Sequence, residues 1–100
     1  MLLVRDIMYC KPGKVRALVD KFKAMAALGD KAGMPKSRIY TDLSAERFWT
    51  VVSEMEVESV EAIMKMGEGD AAAMKKMEEI MKGYHDLVDH GRREIYNVES

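Results

Sequence analysis

The chain has 100 residues, of which 48% are hydrophobic and 33% charged, with 16 Lys and Arg against 17 Asp and Glu and a formal charge of −1. Such a composition fills one globular core with no room for a second domain, excludes a disordered tail, and offers no basic footprint for DNA or RNA. No uncharged stretch approaches the roughly 20 residues of a membrane-spanning helix, Arg5 and Asp6 interrupt the apolar start too early for a signal peptide, and the single Cys10 excludes an internal disulfide, which suits a reducing cytoplasm.

Residues 2–10, LLVRDIMYC, place Leu2, Val4 and Met8 on one alternation and Leu3, Ile7 and Tyr9 on the other, which predicts a strand apolar on both faces. Pro12 and Gly13 then turn the chain. Val15, Leu18, Val19, Phe22, Met25 and Ala26 follow at helical spacing, with the charged residues mostly elsewhere, so an amphipathic helix is expected that Gly29, Gly33 and Pro35 bring to an end. Residues 37–43 are rich in β-formers, and Ser44, Ala45 and Glu46 read as the loop of a hairpin. Its second strand is RFWTVVSEMEV, with Phe48, Thr50, Val52 and Glu54 on one face and Trp49, Val51, Ser53, Met55 and Val57 on the other. Ser59 is placed to cap a helix through Val60, Ala62, Ile63, Met64 and Met66, which Gly67, Glu68 and Gly69 break. Asp70 then caps a further helical stretch carrying a stripe of Met74, Met77, Met81, Tyr84 and Val88, closed by Gly91, and residues 93–98 form a last strand.

The order is β-α-β-β-α-β, the split βαβ pattern of a ferredoxin-like α+β sandwich, with helices on one side of a four-stranded antiparallel sheet. Right-handed crossovers place the first and third strands centrally. Helices on one side leave the opposite sheet face uncovered, and that face, carrying either Trp49, Val51 and Met55 or Phe48 and Val52, is expected to be an apolar patch that a second chain covers. Homodimerisation through the sheets follows, and any space left between the two sheets is a ready ligand cavity. Ten Met against 7% aromatic residues suggest a core of flexible, polarizable side chains.

The element order, together with the segments VRDIMYCKPGKV, RFWTVVSEMEVESVEAI and GYHDLVDHGRREIYNVE, resembles the dimeric α+β barrel superfamily, in particular its small antibiotic-biosynthesis-monooxygenase and NIPSNAP-like members. The turn Lys11-Pro12-Gly13-Lys14 and the acidic segment from Glu54 to Glu61 carry the likeness, which spans essentially the whole chain. It implies a homodimer whose paired sheets enclose a hydrophobic pocket, used in such proteins for cofactor-independent oxidation of aromatic or polyketide-like molecules, for haem degradation, or for purposes unknown. Two departures stand out: Met55 occupies a position where many monooxygenase relatives carry Trp, and residues 73–77 hold no His where haem-degrading relatives have one.

Among the chemistry-bearing residues, Asp6 interrupts an apolar alternation and is either a proton acceptor in a pocket or half of a structural ion pair. His85 with Asp89, and Asp86 with His90, share faces of a helix at i, i+4, yet no third cluster completes a metal site, so no metal is expected. Cys10 reads as a small buried side chain, the Met stripe as core packing, and Gly67-Glu68-Gly69 as a helix break rather than a dinucleotide loop. The expectation is therefore a cytoplasmic homodimer that binds a small apolar or aromatic molecule and needs no cofactor, nucleic acid or membrane. In the oxygenase reading that the resemblance implies, Asp6 or His85 takes a proton while Trp49, Ser53, Met55 and Tyr96 line the pocket. The alternative is a non-catalytic binding or assembly module.

Overall fold

The alternating apolar residues of Leu2–Cys10 form β1, and the amphipathic Val15–Lys31 forms α1, in a computed structural model that describes residues 1–65 and 71–100. Then follow β2 (Ser37–Thr41), β3 (Thr50–Val57), α2 (Val60–Lys65), α3 (Ala71–Met81), the short α4 (Tyr84–Leu87) and β4 (Val88–Asn97). The sheet order is β2-β3-β1-β4 with every neighbour antiparallel, so β1 and β3 are central and the architecture is the ferredoxin-like α+β sandwich. The break at residues 67–69 and the cap at Asp70 lie outside the described residues. Ser59 does cap α2, its Oγ accepting the Ala62 N–H at 3.2 Å.

Several boundaries differ from the expected ones, and four have a local reason. α1 continues through Gly29 to Lys31, because one interior glycine costs a helix only about 1 kcal/mol, and the chain turns instead at Gly33, φ 75°. β3 starts at Thr50 rather than residue 47, since Trp49 adopts φ 63° and leaves the extended conformation. The long second helix stops at Met81, and Gly83, φ 82°, starts a separate turn of helix. Gly91 does not close a helix at all. It sits inside β4 opposite Met8, where an added Cβ would clash with Met8 Sδ and lie 3.0 Å from the Ile7 carbonyl oxygen.

Residues paired across an antiparallel ladder share a face. The register Val4 to Met55, Asp6 to Ser53 and Met8 to Val51 therefore puts these six on the helix side. There Leu18 and Val51, both 0% exposed, pack with Cys10 and Val19 as the centre of the core. The other face carries Leu3, Arg5, Ile7 and Tyr9 of β1, Val52 and Glu54 of β3, and Arg92, Glu94 and Tyr96 of β4.

This corrects the expected apolar patch. The uncovered face is a polar and aromatic network, because the pairing register turns Val51 and Met55 inward and leaves Phe48 and Trp49 outside the sheet. Glu54 raises the Tyr40 pKa above its ordinary value, and its Oε2 lies 2.8 Å from Arg5 Nε. Tyr96 donates to Glu94 Oε1 at 2.7 Å, and Arg92 Nε reaches Glu94 Oε2 at 3.1 Å. Arg92 also donates to the Tyr9 hydroxyl, and the Tyr9 ring is stacked by the Arg47 guanidinium at 4.5 Å.

Candidate functional site

A cavity of about 630 Å³ opens between the helix-facing side of the sheet and the helices. Its existence follows from side-chain size. The first turns of α1 seal against the sheet through Leu18 and Val19, whereas the later ones present Ala26 and Gly29, and Ala62 and Ala73 face the same space from α2 and α3. Small residues at inward positions leave a void that larger ones would fill.

The wall is mostly apolar: Phe22 and Met25 from α1, Met34 and Pro35 after it, Met55 from β3, and Met74, Met77 and Met81 from α3. Asp6, Lys65, Ser37 and Ser53 supply its polar side chains. Asp6 is fixed by the neighbouring strand. Arg93, directly opposite in the β1–β4 ladder, donates through Nε to Asp6 Oδ1 at 2.7 Å and through a terminal nitrogen to Oδ2 at 3.1 Å. These bonds raise the Arg93 pKa above its ordinary value. Ser53 faces Asp6 across the other ladder, so a carboxylate and a hydroxyl lie side by side on the cavity floor. Close by, Tyr84 donates weakly to Met8 Sδ at 3.3 Å, and its pKa is raised by burial first and by the Asp6 and Cys10 charges second. Burial, with Asp42 adding to it, likewise raises the Cys10 thiol.

Of the side chains singled out in the sequence, Asp6, Ser53 and Met55 meet in this cavity. The other three lie elsewhere. Trp49, 43% exposed, precedes β3 and borders a separate surface groove with Val15, Arg16, Thr41, Asp42 and Phe48. Its positive φ takes it out of the strand alternation, and its position is held by the Cys10 N–H, which donates to the Trp49 carbonyl at 2.8 Å. Tyr96 pairs with Leu3 and so belongs to the opposite face, bonded to Glu94. His85 is exposed on α4, its ring 5.2 Å from that of Tyr84. Helix α4 ends at Leu87, so Asp89 and His90 lie on β4 and the two i, i+4 pairs do not form. Among the described residues no three His, Cys, Asp or Glu are placed to hold a metal ion.

Sequence reasoning missed Arg93, Lys65 and the role of the methionines. The stripe at Met74, Met77 and Met81 was legible as one helix face. What that face looks onto depends on the small residues opposite.

No protein-family model matches the sequence, and no curated protein matches it. Solved structures do. An uncharacterized NIPSNAP domain protein from Burkholderia xenovorans superimposes with a TM-score of 0.77 at 14% identity, covering 100% of this chain and 96% of that one. A protein described as a candidate antibiotic biosynthesis monooxygenase from Nitrosomonas europaea gives 0.73 at 13% identity, with 100% of both chains covered. A NIPSNAP family protein from Agrobacterium tumefaciens gives 0.71 at 12% identity, covering 96% and 90%. The chain thus has the ferredoxin-like α+β fold shared by NIPSNAP and antibiotic-biosynthesis-monooxygenase-like proteins.

Proposed function

We propose that this protein binds a small, largely apolar or aromatic molecule between its sheet and helices, with the ligand's polar end at Asp6 and Ser53. The cavity carries this reading: about 630 Å³, walled by methionines and Phe22, with few polar groups gathered on its floor. That size lies within the roughly 300–1,000 Å³ of pockets that enclose ligands, and a few placed polar groups orient a bound molecule. Asp6, already holding two guanidinium N–H bonds, accepts a further hydrogen bond from a ligand hydroxyl.

Likeness of fold to monooxygenase-like proteins supports an enzymatic form of the same reading, cofactor-independent oxygenation of a phenolic or polyketide-like molecule. The protein then supplies enclosure and a proton acceptor. That acceptor is Asp6, since His85 lies outside the cavity. Arg93 favours the alternative, a non-catalytic binding module, because a proton on Asp6 would replace a carboxylate–guanidinium pair with a neutral acid beside a cation.

Two copies pair through the uncovered sheet faces. Tyr40 and Tyr96 suit an interface, and Arg5, Arg92, Glu54 and Glu94 are already paired within the subunit, so contact does not strand these four charges. A cytoplasmic setting fits the free, buried Cys10.

Titration of 1-naphthol into protein carrying methyl-labelled methionine tests the binding reading by nuclear magnetic resonance. Saturable shifts are expected for Met55, Met74, Met77 and Met81 but not for Met1 and Met64, which lie outside the cavity, and Met77→Trp should block them. Equal shifts at all methionines, or none, would refute it. Oxygen uptake with a hydroxylated tricyclic aromatic separates the two forms: in the enzymatic one Asp6→Asn lowers uptake at least tenfold, a size typical for loss of acid–base catalysis, and absence of uptake leaves the binding module.

A further inference from the structure

Among the described residues, six of the ten methionines in the sequence converge on the one cavity: Met25, Met34, Met55, Met74, Met77 and Met81. The last three come from one face of α3, a helix in which no residue is fully buried. None of the six is buried, and Met74 is 38% exposed. A stripe in that position is not a sealed core. Leucine would fill the same wall with better-defined rotamers, whereas a thioether presents a soft sulfur that a dissolved oxidant can reach.

We propose that this wall is a site of methionine sulfoxidation by peroxide, and that oxidation closes the cavity to apolar ligands. The inference rests on the binding reading above. In the reaction a thioether lone pair attacks one peroxide oxygen, the S–O bond forms as the O–O bond breaks, sulfur gives up two electrons, and the remaining oxygen leaves as water with both peroxide protons. The thioether becomes a sulfoxide, a polar group and a strong hydrogen-bond acceptor.

The cavity is poorly equipped to receive such groups. Its side-chain donors are Lys65, Ser37 and Ser53, while Arg93 is committed to Asp6. Up to six new acceptors would outnumber them, so the sulfoxide oxygens draw water into the space an apolar ligand needs. Reduction of the sulfoxides restores the thioether wall, which makes the change reversible.

The experiment uses the full chain with methyl-labelled methionine, and 1-naphthol as the probe. Treatment with hydrogen peroxide is expected to give sulfoxide at Met74, Met77 and Met81 and to raise the 1-naphthol Kd by about tenfold or more, the size expected when polar groups lose partners in an apolar site. Far-ultraviolet circular dichroism should stay unchanged, and a methionine sulfoxide reductase should return the Kd. Combined Met74→Leu, Met77→Leu and Met81→Leu removes the sulfurs of α3, and peroxide should raise its 1-naphthol Kd, measured against its own untreated value, less than half as much as in the native chain, with Met77→Leu alone intermediate. The proposal is overturned if the cavity sulfoxides form and the Kd moves less than twofold, or if only Met1 and Met64 take up oxygen. It is also overturned if the leucine variants lose affinity on oxidation as the native chain does. Untreated protein that does not bind 1-naphthol overturns the binding reading and this one with it, whereas binding that survives oxidation overturns this one alone.

Discussion

Asp6 and Arg93 form a two-bond ion pair at the floor of the cavity, yet the Arg93 side chain is 51% exposed. Solvent screens such a pair, so Asp6→Asn should lower stability by only about 1 kcal/mol, measured by urea unfolding. A loss above about 3 kcal/mol would mean that the carboxylate is far more buried than its surroundings indicate. Gly91 is more sensitive. Met8 and the Ile7 carbonyl occupy the space that a side chain would need, and Gly91→Ala should cost roughly 1–3 kcal/mol as Met8 is displaced. Because Met8 also accepts the weak bond from Tyr84, the near-ultraviolet signal of the variant should change with it. An unaltered midpoint of unfolding would show that β4 yields without strain.

At the scale of elements, α3 is a helix of three turns with little to hold it. It buries no residue fully, and its apolar face looks onto a void rather than a packed partner. Its C-terminal end is tied to α1 by Lys21, whose ammonium donates to the Ile80 carbonyl at 3.0 Å and to the Lys82 carbonyl. A cation at that end satisfies free carbonyls and opposes the helix dipole. Lys21→Met keeps the aliphatic stem and removes the donors. It should cost about 1 kcal/mol and speed amide exchange in α3 more than in the strands. Uniform acceleration across the molecule would show that α3 opens only with global unfolding.

For the molecule as a whole, the proposed pairing of uncovered sheet faces makes a prediction about association. Sedimentation should give twice the subunit mass, and Val52→Arg, which places an unpaired charge on that face, should give a folded monomer. A native chain that sediments as a monomer at high concentration would remove the pairing without touching the cavity, which lies within one subunit. The same face shapes the acid response. The Tyr96 hydroxyl, and after it Arg92, hold Glu94 below its ordinary 4.5. A carboxylate lowered on folding stabilises the native state above pH 4.5, and this contribution disappears as pH falls from there through the lowered native value. Tyr96→Phe should therefore lower stability at neutral pH, leave it nearly unchanged in strong acid, and so flatten the acid limb of the stability curve below pH 4.5. An acid limb as steep as the native one would show that Glu94 owes its shift to other groups.

Element order and the central placement of β1 and β3 were legible in the chain itself, because alternation and helical period are local patterns and crossover handedness is general. The acidic position in β1, the cap at Ser59 and the methionine face of α3 were legible for the same reason. Their surroundings were not. A shift of one residue in strand pairing exchanges the two faces of a sheet, and only the register of β1 with β3 and β4 brought Asp6, Ser53 and Arg93 together while sending Tyr96 to the other side. Gly91 read as a helix end because glycine permits many conformations, and strand pairing chose one. Tertiary structure alone made the cavity, since a void is the distance between packed elements and no single segment contains it.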